Sequence, residues 1–141
     1  MDGCNPPGSG GTYLWRWVMN DRELLELAAK AAGYEKIEYN DLKGSMLDIR
    51  YGRDEAIWNG EDYWNPLVDD CEALRLAVQL GLFIYQIKVN DQKITAVEWD
   101  FDHVGQSMIF DEMHKDDPYA ATRRAIVRAA AGIGKNTEVM K

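Results

Sequence analysis

Between its hundredth and hundred-and-fourteenth residues the chain places Asp100, Asp102, His103, Asp111, Glu112 and His114 within a short span. Carboxylate oxygens and imidazole nitrogens can hold a divalent cation, and a held cation makes a nucleophile of its bound water. Asp100, Asp102, His103 and His114 are therefore the candidate metal ligands of a small hydrolase or a nucleotide-binding protein. Their spacing argues against that chemistry. Asp100-Phe101-Asp102-His103 matches neither a His-Glu-x-x-His helix nor a calcium loop. A solvated acidic connection flanking a strand uses the same residue types and is the expected reading.

A second group is aromatic: Trp58-Asn59-Gly60-Glu61-Asp62-Tyr63-Trp64. Tryptophan and tyrosine present large area at little entropic cost, so exposed pairs anchor partners. Trp58, Tyr63 and Trp64 are candidate binding residues on that ground. The competing reading is that one or both tryptophans staple this loop over the second helix, because large aromatics are mostly buried.

The third group is cationic. Arg123, Arg124 and Arg128 are expected on the outer face of the last helix, with Arg124 and Arg128 at i and i+4. That pair could grip a carboxylate or phosphate in bidentate fashion. The same arginines could instead pair with the chain's own surplus of acids, or face water.

Several reaction classes are set aside by the order of the residues. Gly132-Ile133-Gly134 is expected to end a helix, where the dipole repels a phosphate, and no phosphate loop or Gly-x-Ser-x-Gly elbow occurs. With two histidines only, a nucleophile triad has few possible bases. The helix–strands–helix order is also that of double-stranded RNA readers, but Asp69-Asp70-Cys71-Glu72 puts acid where such a module needs base. No cofactor is called for.

The elements that must position these groups follow from periodicity. Asn20 caps a first helix with Glu23 three residues on, Leu24, Leu27, Ala28 and Ala31 line it, and Gly33 ends it. Short strands are expected at Lys36–Tyr39, Met46–Tyr51 and Glu55–Trp58. Asn65-Pro66 starts a second helix, Asp69 and Glu72 supply a second capping box, and Leu74, Ala77, Val78 and Gly81 form its inner face. Leu82–Val89 is the most hydrophobic strand and is expected near the sheet centre. Asn90-Asp91 turns it into a hairpin with Lys93–Trp99. Ser107–Phe110 adds a short strand. Asp117-Pro118 opens a last helix, buried along Thr122, Ile126, Ala129, Ala130 and Ile133 and ending near Gly134. The expected fold class is α+β: a layered sandwich of three helices on one mostly antiparallel sheet of about five strands.

The chain has 141 residues and 46% hydrophobic content, enough for one core without disulfide staples. Cys4 and Cys71 form no Cys-x-x-Cys or Cys/His cluster, so a reducing cytoplasm is the expected compartment. No apolar run approaches the ~18 residues of a membrane span. A net charge of -8 favours solubility and a basic partner surface, and opposes nucleic acid and anionic lipid. Residues 1–18 carry Asn5-Pro6-Pro7-Gly8-Ser9-Gly10-Gly11 and read as an extension, disordered or preceding the natural start at Met19. The rival reading docks Trp15 and Trp17 as an extra strand. The domain is expected over 19–135, with 136–141 a tail.

Trp64-Asn65-Pro66-Leu67, followed by Asp69-Asp70 and Glu72-Ala73-Leu74-Arg75-Leu76-Ala77-Val78, carries a resemblance that Glu23–Gly33 and Ala121–Ala130 extend. Over residues 19–135 the chain resembles the phage ABA sandwich domain, a family of small bacteriophage and prophage proteins. The resemblance implies a sheet between helical layers and brings no catalytic residues with it. The expected function is that of a small acidic phage or prophage accessory protein that binds a protein partner, counter-defence included. A small molecule is the lesser expectation.

Overall fold

The computed structural model describes residues 19–43, 46, 55–100 and 107–139. Helix α1, Asp21–Ala31, opens on the expected reciprocal cap: the Glu23 amide donates to Asn20 Oδ1 at 2.8 Å, and the Asn20 amide to Glu23 Oε1 at 3.2 Å. It closes on Gly33 at φ 93, with Tyr34 donating to the Ala29 carbonyl and Gly33 to that of Lys30. That pair of bonds satisfies the helix's last carbonyls, and the left-handed residue it needs is one glycine adopts without strain.

Strands β1 (Glu38–Asp41), β2 (Glu55–Trp58) and β3 (Tyr63–Trp64) make a small antiparallel sheet. The expected strand at Met46–Tyr51 lies, Met46 apart, outside the described residues. Helix α2, Asp70–Leu80, starts later than expected. Asn65-Pro66 makes an isolated turn ahead of it: Asn65 Oδ1 accepts from the Leu67 amide at 2.9 Å and the Asn65 carbonyl from the Asp69 amide at 3.2 Å, while the Asn65 side-chain amide donates to the Glu55 carbonyl at 2.7 Å. Asp69 is the cap, accepting from the Glu72 amide at 2.9 Å, while the Glu72 carboxylate reaches back to the Asn65 amide at 2.7 Å. The helix is also turned from its expected phase. Ala73, Leu76 and Ala77 are buried, whereas Leu74 and Val78 face solvent. Apolar residues flank both sides of this stripe, so periodicity alone admits either phase.

Strands β4 (Phe83–Val89), β5 (Gln92–Asp100) and β6 (Ser107–Met113) form a second antiparallel sheet in that order. The β4–β5 turn places Asn90 and Asp91 at φ 50 and 64, the two left-handed residues a two-residue hairpin requires. Two three-stranded sheets thus replace the expected single sheet of about five strands. The α+β class and the three helices stand as read.

Helix α3, Pro118–Val139, is the centre of the molecule. Asp117 caps it, accepting from the Tyr119 and Ala120 amides. It packs against β5 and β6 and also against α1 and α2. Ala125, Ile126, Val127, Ala129, Ala130 and Ala131 are all buried, so the helix is covered on every side instead of along one stripe. It also runs through Gly134 and past residue 135. Gly134 is a packing residue there: a Cβ at this position would run into the Leu27 carbonyl of α1.

Candidate functional site

Among the described residues, Asp100 and His114 of the acidic span do not converge. Asp102 and His103 lie outside the described residues. Asp100 pairs with Ser107 at one end of the β5–β6 ladder, and His114 follows Met113, which pairs with Ile94 at the other. Six residues of strand separate them, roughly 20 Å at the ~3.4 Å rise of a β-strand, too far to share an ion. Among the described residues no group of three His, Cys, Asp or Glu side chains is disposed to hold a metal.

His114 is instead a core residue, 7% exposed. Its Nε2 lies 2.7 Å from Thr95 Oγ1, which lies 2.9 Å from Thr122 Oγ1, and Thr122 donates to the Pro118 carbonyl at 2.8 Å. A buried polar chain of this kind ties the sheet to the first turn of α3.

The aromatic loop divides. Trp64 is 6% exposed and meets Tyr34 edge to face at 5.5 Å, so it belongs to the core. Trp58 is 36% exposed and stacks edge-on against its cross-strand neighbour Tyr63 at 5.1 Å. The connection between them is held by Asn59, whose Oδ1 accepts from the Glu61 and Asp62 amides, both at 3.0 Å. Beside it opens a cleft of about 710 Å³ bordered by Tyr63, Cys71, Glu72, Arg75 and Gln79. Two of its polar groups are engaged with the chain's own backbone, Glu72 with the Asn65 amide and Gln79 with the Ala32 carbonyl.

All three candidate arginines have partners within the chain. Arg123 donates to the Leu67 carbonyl at 2.8 Å and to Asp70 at 2.6 Å, fastening α3 to the start of α2. Arg124 reaches Asp21 at 3.0 Å. Arg128 donates to the Asp111 carbonyl and to Glu112 Oε2, each at 2.7 Å, with its guanidinium over the Phe110 ring. Glu112 also stands 3.9 Å from Arg124. The carboxylate that the i, i+4 pair grips is its own.

A surface absent from the sequence reading emerges on the second sheet. One face of β5 and β6 buries Thr95, Val97 and Phe110 and packs against α3. The ladder register puts Phe83, Tyr85, Ile87, Val89, Ile109 and Met113 together on the opposite face, and each of them is exposed, Phe83 by 59%. An antiparallel sheet with one face on the core ordinarily turns polar side chains outward. Here the outward face is largely apolar as well, with Glu98, Asp100 and Asp111 its acidic members. Strand β4, expected at the sheet centre, is an edge strand in which every residue is exposed. Its hydrophobicity serves a surface, not the core. The clue available beforehand was that Tyr85, Ile87 and Val89 alternate with Gln86 and Lys88, a two-faced pattern in the second half of the strand unlike the continuous run of a strand buried on both sides.

No protein-family model, no curated protein and no solved structure matches this chain.

Proposed function

We propose that this chain is a small acidic binding protein that docks on another protein through the outer face of its second sheet. The observation that carries the proposal is the set of six exposed apolar side chains from Phe83 to Met113 on one sheet face. Contiguous apolar patches larger than a few hundred Å² are uncommon on monomeric proteins and mark places where something binds. Glu98 and Asp111 on that face, and the net charge of -8, favour a partner with an apolar strip flanked by Lys or Arg. The resemblance in the α2 and α3 segments supports a bacteriophage or prophage setting inside the host cytoplasm, with a host defence component as one target class.

The test is capture from bacterial host lysate with the full chain, compared with Ile109→Lys and Met113→Lys. Both substitutions alter exposed β6 side chains and leave the core intact. A partner retained by the parent and lost by both variants is the expected result. A partner held equally by all three proteins rules this face out.

A further inference from the structure

The outer edge of β4 is a second, separate feature of the same strand. Val89 and Gln92 flank the two-residue turn and exchange hydrogen bonds, so every second residue back along the strand, Ile87, Tyr85 and Phe83, also bonds toward β5. The intervening residues Ile84, Gln86 and Lys88 therefore direct their backbone N–H and C=O groups away from the sheet. Among the described residues no strand pairs with that edge. A long exposed edge of this kind is a template for another strand.

We propose that the β4 edge pairs antiparallel with the β4 edge of a second copy of this chain, about a two-fold axis through Gln86. The reading rests on the docking role of the sheet and specifies who meets its edge. The strand is self-complementary in that register. Phe83 falls opposite Val89 and Tyr85 opposite Ile87, twice each, giving four apolar cross-strand pairs on the outer face. On the other face Gln86 meets Gln86, and Lys88 meets Ile84, so no like charges oppose one another. The same register makes Ile84, Gln86 and Lys88 hydrogen-bonded positions, so all their outward backbone groups find partners.

Charge favours this edge over the rest of the surface. The chain carries 24 acidic residues, yet none lies between Ala73 and Asn90, so two strongly acidic molecules can meet here without opposing carboxylates. A two-fold contact also consumes the edge and closes, where an offset pairing would continue into a fibre. The seam belongs to the small, transient class of interface, below ~1,200 Å² of buried surface. It makes one six-stranded sheet whose apolar outer face is twice as wide.

Sedimentation equilibrium of the full chain from 10 µM to about 1 mM tests this. The mass is expected to rise from 16.1 kDa toward twice that value across the series. Gln86→Pro removes an outward N–H and no ladder bond, and Ile87→Lys places charge opposite Tyr85 of the other copy. Both variants should stay at 16.1 kDa with unchanged far-ultraviolet circular dichroism. In a background with Cys4 and Cys71 replaced by Ser, Gln86→Cys should be joined into a covalent dimer by a short bis-maleimide, whereas Val78→Cys on α2 should not. A parent chain that stays monomeric throughout overturns the proposal, as does a dimer that persists in both folded variants. Either result leaves the lysate capture with β6 variants as an independent reading of the docking face.

Discussion

Thr95 Oγ1 lies 2.7 Å from His114 Nε2, and the hydrogen bonds around the pair settle which atom carries the proton. Thr122 gives its hydroxyl proton to the Pro118 carbonyl, which can only accept. Thr122 must then accept from Thr95, whose single proton is thereby used, so Thr95 accepts from His114 and Nε2 is protonated. Nε2 is thus engaged by Thr95 inside the core, away from solvent.

Nitrogen-15 NMR of the imidazole is expected to show the Nε2–H form. Thr95→Val should leave that donor buried without an acceptor and destabilise the fold by about 1–3 kcal/mol in urea unfolding. Adding His114→Leu should recover part of the loss, since removing both members leaves no orphaned polar atom. Full additivity of the two losses would mean the bond carries no coupling energy.

Gly134 is where α3 passes closest to α1. Adding one methyl group in Gly134→Ala drives a Cβ into the Leu27 carbonyl, a backbone atom that cannot rotate away. The helices must separate, and overpacking of this kind costs about 1–3 kcal/mol. Alanine is the better helix former by up to ~1 kcal/mol, so a stabilised variant would show that the helix pair relaxes freely.

Trp58 and Trp64 should respond oppositely to truncation. Trp64→Ala empties a buried site and is expected to cost roughly 3–5 kcal/mol. Trp58→Ala removes a half-exposed ring and its edge contact with Tyr63, a loss of about 0.5–1.5 kcal/mol. Denaturation midpoints compare them directly. A binding defect in Trp64→Ala alone would therefore report unfolding, and Trp58 is the clean probe of this loop. Equal losses in the two variants would contradict the burial difference.

Local signals in the sequence located most elements. The Asn20–Glu23 box, the Gly33 stop, the Asn90-Asp91 turn and the Asp117-Pro118 start all appear as read, because each depends on groups within a few residues of one another. Candidate functions attached to types and spacing fared differently. Arg124 and Arg128 do share a helix face as their spacing requires, but Glu112, which occupies them, comes from β6. Asn65 before Pro66 has the form of a helix start and caps a single turn, while the Glu55 carbonyl, brought near by β2, anchors its side-chain amide and the helix itself starts from Asp69.

What the chain determined by itself was the class of most of its elements and several of their caps and turns, since these are short-range properties of the backbone, whereas the start of α2 and the end of α3 were set by what packs around them. The tertiary structure alone decided which apolar residues face inward. Hydrophobicity measures how much a side chain gains by leaving water and says nothing of which neighbour will cover it. Phe83 and Val97 are alike in that respect, yet α3 lies over β5 and β6, so Val97 is buried and Phe83 remains at the surface.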